Sequence, residues 1–125
     1  MSLRFITPNM HGVLDYIVGT TLIVAPGLLG LGASSPLAFW LSVLTGLAVI
    51  AMSLITDYRF SVAQIIPFWL HLTVDAVAAV VFLVAPFAFG FAGLDFVYYL
   101  VNAAAVLIVV AFGLTEQPES DAAAA

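Results

Sequence analysis

Long uncharged stretches of apolar residues dominate the chain. No residue is charged between Asp15 and Asp57, and further uncharged stretches cover residues 76–94 and 96–115. A helix needs about 20 apolar residues to cross a bilayer core of about 30 Å. Strands are disfavoured because the apolar runs do not alternate with polar residues. The pattern therefore predicts four membrane-spanning helices, at residues 9–28, 37–56, 67–88 and 96–115.

The same polar pattern occurs twice. His11 and Asp15 recur, 60 residues further on, as His71 and Asp75. After the first hairpin loop the offset falls to 59, which places a one-residue deletion in the second loop. Further matches are Pro26 with Pro86, Gly30 with Gly90, Gly46 with Ala105, Thr56 with Thr115, and Asp57 with Glu116.

This repetition predicts an all-α membrane protein built from two tandem helical hairpins. A Pro-containing segment and a Gly-containing loop end the first helix of each copy, at Pro26 and Pro86. Two spans per copy mean that both copies enter the membrane in the same direction, related by a pseudo-twofold axis along its normal. We expect repeats at residues 1–58 and 59–118, and a disordered tail at residues 119–125.

Composition places the chain in a membrane. Apolar residues make up 65% of it and charged residues 7%, and its mean hydropathy is +1.25; soluble domains are about 25% charged. The absence of cysteine excludes disulfides and thiol chemistry. Two arginines and no lysine give no basic patch, so no nucleic-acid partner is expected.

The arginines predict the orientation. Arg4 precedes the first span and Arg59 lies between the second and third, so both are on one side. The positive-inside rule puts that side, and both termini, in the cytoplasm. We expect Trp40, Tyr98 and Tyr99 to form an interfacial aromatic belt on the other side.

The candidate site comes from helical spacing. His11, Asp15 and Gly19 share one face of the first span, and His71, Asp75 and Ala79 repeat that face in the third. We expect the two stripes to face each other, or the helix ends that carry Asp57 and Glu116. The candidate residues for binding a proton or ligand are therefore His11, Asp15, His71, Asp75, Asp57 and Glu116.

Two interpretations of this constellation are open. Polar groups inside a membrane bundle hydrogen-bond across helices, at about 0.6 kcal/mol each, and we favour this structural interpretation. Ionisable residues within a span also mark functional sites. In that case the stripes serve a proton or cation pathway, a small-ligand site, or, ranked lower, a Zn or Fe site or a bis-histidine haem. The absence of a nucleophile-elbow motif argues against hydrolysis.

Several motifs in order resemble a known family. They are residues 11–16, 22–31, Ser53 to Tyr58, Ile66-Pro67 before His71 and Asp75, and residues 84–91. Together they are similar to the SPW-repeat membrane proteins of bacteria, over about Arg4 to Glu116. In place of Ser-Pro-Trp the chain has Ala25-Pro26-Gly27 and Ala85-Pro86-Phe87. The resemblance implies the two-hairpin fold and topology, and it implies no activity.

These observations predict a small structural or interaction module of the bacterial cytoplasmic (inner) membrane, with no enzyme activity and no cofactor or metal. Its expected partners are the lipid bilayer and either a second copy of the chain or another membrane protein. A protein that binds or transports a proton, a cation or a small ligand is the alternative.

Overall fold

The computed structural model describes residues 3–57, 59 and 61–113. Within that part of the chain there are four α-helices and no strand beyond two isolated backbone bridges. Each helix is long and apolar enough to cross a membrane. The helices are α1 (Pro8–Leu29), α2 (Pro36–Ile55), α3 (Phe68–Ala88) and α4 (Gly93–Ala111).

Helix starts follow from local capping chemistry. The Thr7 hydroxyl accepts a hydrogen bond from the Met10 amide at 3.2 Å, and Pro8 occupies the first turn, where its missing N–H has no cost. Ser35 and Pro36 repeat this arrangement at α2. At α3, Pro67 is itself the N-cap residue and makes no side-chain cap, rather than lying inside the first turn as the sequence suggested.

Each Ala-Pro segment lies just inside the end of its helix. Pro26 and Pro86 are within α1 and α3, and their carbonyls accept hydrogen bonds from Leu31 and Phe91, both at 2.9 Å. Gly30 then adopts a left-handed conformation with φ of 66°, which favours glycine. The prolines thus help to end the helices, as the sequence predicts.

The helices pair as two hairpins, α1 with α2 and α3 with α4. At the α1–α2 contact the two backbones approach so closely that a Cβ on Gly46 would lie 2.7 Å from the Gly19 carbonyl oxygen. The small residue one turn beyond Asp15 therefore permits the close helix packing that the sequence predicts.

The segments before α1 and α3 make matching contacts. The Phe5 and Ile6 amides donate to the Phe112 carbonyl beyond α4, at 2.9 and 3.0 Å. The Ile65 and Ile66 amides donate to the Ile55 carbonyl at the end of α2, at 2.9 and 2.8 Å. Each hairpin thus begins beside the end of the other. We call this end of the bundle the linker end, and the end with the two hairpin loops the loop end.

Apolar side chains form the core towards the loop end. Its buried members come from all four helices and both hairpin loops: Leu22, Leu31, Ala38, Phe82, Ala85, Phe91, Tyr98, Tyr99 and Ala103. Large aliphatic side chains elsewhere on the helices point outward, for example Ile17 and Val101 at 58% and 61% exposure. Such a surface suits a lipid environment, where apolar exposure has no hydration penalty.

Candidate functional site

Four ionisable side chains meet inside the bundle near the linker end. His11 and Asp15 are one turn apart on α1, and His71 and Asp75 occupy the same positions on α3. Because residues i and i+4 share a helix face, each pair points at the other helix. All four are buried, the histidines at 1% and 0% exposure and the aspartates at 7% and 8%. We call this group the His–Asp cluster.

The pairing in the His–Asp cluster is crossed between the two hairpins. His11 Nε2 lies 2.8 Å from an Asp75 oxygen, and His71 Nε2 lies 2.6 Å from an Asp15 oxygen. The contacts within each helix are longer, at 3.1 Å for His11 with Asp15 and 3.3 Å for His71 with Asp75. Each imidazole therefore faces both carboxylates, and its shorter bond crosses to the other hairpin.

Thr56, just past α2, fixes the tautomer of His71. Its hydroxyl donates to the Met52 carbonyl at 2.6 Å, and a carbonyl can only accept. The same oxygen lies 2.6 Å from His71 Nδ1, so it must accept a hydrogen there. His71 therefore carries a proton on Nδ1. Its bond to Asp15 then needs a second proton, either on Nε2 or on the carboxyl group.

His11 differs from His71 at the ring nitrogen Nδ1, which faces away from the aspartates. Its Nδ1 is buried and has no hydrogen-bond partner among the described residues. In the sequence the repeat pairs Thr56 with Thr115, which lies outside the described residues. Within the described part of the chain, the two imidazoles therefore make matching bonds to aspartate through Nε2, and only His71 makes a bond through Nδ1.

An aromatic side chain packs against both imidazoles. Phe68, in the first turn of α3, contacts the His11 ring edge-on at 5.2 Å between centroids and stacks on the His71 ring at 5.8 Å. It is itself 6% exposed. This apolar contact lowers the local dielectric, which strengthens the hydrogen bonds of the His–Asp cluster and raises the cost of leaving any of them unmade.

A cavity of about 200 Å³ lies beside the His–Asp cluster between the four helices. His11, Asp15 and Asp75 form part of its wall. Thr45 and Asn102 are its other polar residues, and the remaining lining is apolar: Leu14, Val18, Leu22, Val49, Ala78, Ala79, Phe82, Ala105, Val106 and Val109. We call it the bundle cavity. It is large enough for a small molecule that is mostly apolar and has one polar group.

A second polar network joins the hairpins at the loop end. The Asp95 carboxylate accepts from the Gly32 and Ser34 amides at 2.9 and 3.0 Å, and from the Ser34 hydroxyl. The Tyr99 hydroxyl donates to the Ala38 carbonyl at 2.7 Å. The first turn of α4 is therefore bonded to the α1–α2 loop, and its second turn to α2.

The prediction of an aromatic belt at this end is wrong for two of its three residues. Tyr98 and Tyr99 are 7% and 0% exposed. The Ser42 hydroxyl donates to the Leu22 carbonyl, so Tyr98 donates to Ser42, at 2.7 Å. Tyrosine can reach an interface or pair inside a bundle, and here available hydroxyl and carbonyl acceptors favour pairing. Trp40 is 57% exposed, in keeping with its predicted position.

Of the other two predicted site residues, the structure describes one, and it does not join the His–Asp cluster. Asp57 is exposed beyond the end of α2 and is not among the four grouped side chains. Glu116 lies outside the described residues. Sequence reasoning missed Thr56, although the repeat had marked Thr56-Asp57 as a pair. The sequence analysis selected the charged Asp57 as a site residue, whereas the neutral hydroxyl of Thr56 is the group that contacts His71.

The helices and the polar interior define a small multi-pass membrane protein whose two hairpins meet around a buried His–Asp cluster. A family model, the SPW repeat domain, matches residues 9–116. The chain therefore belongs to the SPW repeat family, as the order of its motifs suggests. Neither curated proteins nor solved structures gave a match.

Proposed function

We propose that this protein is a structural or interaction module of the bacterial cytoplasmic membrane, without catalytic activity. The observation that carries the proposal is the crossed pairing of His11 with Asp75 and of His71 with Asp15. These bonds satisfy the carboxylates internally. A buried polar group without a partner costs several kcal/mol in a bilayer, so such bonds specify how the two hairpins pack.

The outer surface supports an interacting role. Every helix presents large apolar side chains outward, among them Ile17, Leu47, Val77 and Val101, each more than half exposed. In lipid such faces can pack against another helix without exposing polar groups. The partner is a second copy of the chain or another membrane protein, in addition to the lipid itself.

Cysteine crosslinking tests the interaction, since the chain has no cysteine of its own. Four variants with one cysteine each are oxidised in native membranes: Ile17→Cys, Leu47→Cys, Val77→Cys and Val101→Cys. We expect disulfide-linked dimers from one helix face, and none from the buried control Ala79→Cys. Failure of all four faces to form dimers would exclude a second copy as the partner.

Binding of a proton or a small ligand is the second candidate function, and the bundle cavity favours it. The cavity wall includes His11, Asp15 and Asp75, so a ligand there could hydrogen-bond to the His–Asp cluster. Histidine ordinarily titrates between about pH 5 and 8. If the folded protein takes up or releases a proton through this cluster, the cluster should titrate in that range.

Thermal unfolding of the detergent-purified protein separates the two candidates. The chain is compared with Asp15→Asn/Asp75→Asn between about pH 5 and 8, because an amide can still hydrogen-bond across helices while holding no charge. A structural cluster keeps its protons over this range while the two histidines of the unfolded chain titrate, so the double variant should stay folded and wild-type stability should change with pH. A wild-type stability that stays constant over this range would instead mean that the histidines of the folded protein gain and lose protons as those of the unfolded chain do, which would support proton binding.

A further inference from the structure

We infer that the His–Asp cluster is a binding site for one divalent transition-metal ion, with Zn²⁺ as the representative ion. This inference goes beyond the proposed function. The donor atoms of His11, Asp15, His71 and Asp75 all lie within 4.8 Å of one another. Two imidazoles and two carboxylates are a ligand set that zinc accepts in tetrahedral sites.

The tautomer of His71 supports a metal. Metal-binding histidines usually donate their other ring N–H to an oxygen, which fixes the ring and leaves a lone pair for the metal. Thr56 accepts that N–H, because its own hydrogen is bonded to the Met52 carbonyl. The lone pair on His71 Nε2 then points at the Asp15 oxygen 2.6 Å away. Two such electron-rich atoms need a positive charge between them, either a proton or a metal ion.

The net charge of the four side chains also fits a divalent cation. Two ionised carboxylates and two neutral imidazoles carry a net charge of −2, which one divalent cation cancels. A neutral assembly is favoured inside a membrane, because an uncompensated charge there is costly. The metal therefore competes with protons for the same four atoms, and binding it releases protons.

The donor types select the class of ion. Magnesium and calcium take six or more oxygen ligands, and this site offers four groups of which two are nitrogen donors. Imidazole with carboxylate suits Zn²⁺ and its first-row neighbours. Because α1 supplies one half of the donors and α3 the other, a bound ion would also join the two hairpins.

The test is zinc binding by the full chain, purified in detergent without a histidine tag and stripped with a chelator. Zinc is titrated by calorimetry, and bound metal is measured after desalting. We expect one Zn²⁺ per chain, a higher unfolding temperature with zinc, and no stoichiometric binding by Asp15→Asn/Asp75→Asn. The control Asp57→Asn, which removes an exposed carboxylate at the same end of the bundle, should bind as the wild type does.

A second variant keeps the test decisive if the Asn variant does not fold. Thr56→Val removes the bond to His71 Nδ1 and no proposed ligand, so affinity should fall about 10- to 100-fold, as for other outer partners of metal-binding histidines. Folding of each variant is checked by circular dichroism and gel filtration. A folded wild type that takes up no zinc, or equal affinity in Thr56→Val, would overturn the inference. Neither result bears on dimer formation, so the proposed module could stand without the metal.

Discussion

At the scale of single residues, two buried hydroxyls of the first hairpin have opposite roles. Thr56 is 0% exposed and bonded on both sides, to Met52 and to His71. Ser53 is also 0% exposed, and its hydroxyl has no hydrogen-bond partner in the part of the chain that the structure describes. A buried polar atom without a partner loses its solvation and gains nothing in return. The two residues, three positions apart, should therefore respond in opposite ways to the loss of the hydroxyl.

We expect Thr56→Val to destabilise the protein and Ser53→Ala to leave stability unchanged or raise it. Valine keeps the shape of threonine but leaves His71 Nδ1 unsatisfied, at a cost of about 1–3 kcal/mol. Alanine at position 53 removes an unpaired hydroxyl and leaves only a small gap. Thermal unfolding of both metal-free variants in detergent measures the difference. Equal destabilisation by the two would mean that Ser53 has a bonding partner after all.

At the scale of helices, the apolar pattern of the sequence predicts all four helices. The differences between the predicted and observed bounds lie at the helix ends. The first three helices begin and end within one residue of expectation. The fourth begins at Gly93 rather than 96 and ends at Ala111 rather than 115, since the uncharged stretch between Asp95 and Glu116 does not mark the helix ends. An acidic side chain in the first turn of a helix is favourable, and this one is paired with loop amides from the other hairpin. Only the tertiary structure supplies those partners.

The candidate site was predictable to a similar degree. Helical spacing put His11 with Asp15 and His71 with Asp75, and the repeat suggested that the two stripes meet. The crossed pairing was not predictable, because it depends on how the hairpins are rotated relative to each other. The burial of Tyr99 was not predictable either, because the Ala38 carbonyl that it bonds on α2 is 61 residues away in sequence.

Close packing of α1 on α2 gives a prediction at this scale. A Cβ at Gly46 would lie 2.7 Å from the Gly19 carbonyl oxygen and 2.9 Å from Leu22 Cβ, so Gly46→Ala must push the helices apart. We expect a loss of about 1–3 kcal/mol. Gly27→Ala is the matched control, since a Cβ there meets nothing within 4 Å, and alanine should add about 0.5–1 kcal/mol within the helix. Thermal unfolding of the two variants checks this, and a tolerated Gly46→Ala would contradict the close approach.

At the scale of the whole molecule, polar contacts gather at the two ends of the bundle and an apolar middle separates them. The His–Asp cluster lies towards the linker end, and the Asp95 network joins the hairpins at the loop end. Between them the bundle cavity is lined almost wholly by apolar side chains. In the described part of the bundle only neutral polar side chains continue from the cluster towards the loop end, namely Thr45, Asn102 and the Ser42–Tyr98 pair. This sparse continuation favours a site that holds its ligand over a route that conducts one.

The proposed orientation gives a prediction for the intact cell. Ala33→Cys in the first hairpin loop should react with a membrane-impermeant thiol reagent, because Ala33 is exposed at the loop end and its neighbour Ser34 keeps its bond to Asp95. Val62→Cys, 84% exposed in the linker, should react only after the cells are opened. The reverse labelling would place the termini outside. The native chain, which has no cysteine, is the blank.

The pairing of each hairpin's first residues with the other's last ones has a consequence for the order of the chain. The backbone at Ile6 lies beside Gly113 just as the backbone at Ile66 lies beside Thr56. The two hairpins therefore meet at two similar places, Ile6 with Gly113 and Thr56 with Ile66. The linker connects the hairpins at the second place only. A circular permutant that is opened in the linker between Asp57 and Ile66, and whose native ends are joined by a peptide, would keep the described contacts of the His–Asp cluster. Which hairpin comes first is a property of the gene rather than of the fold.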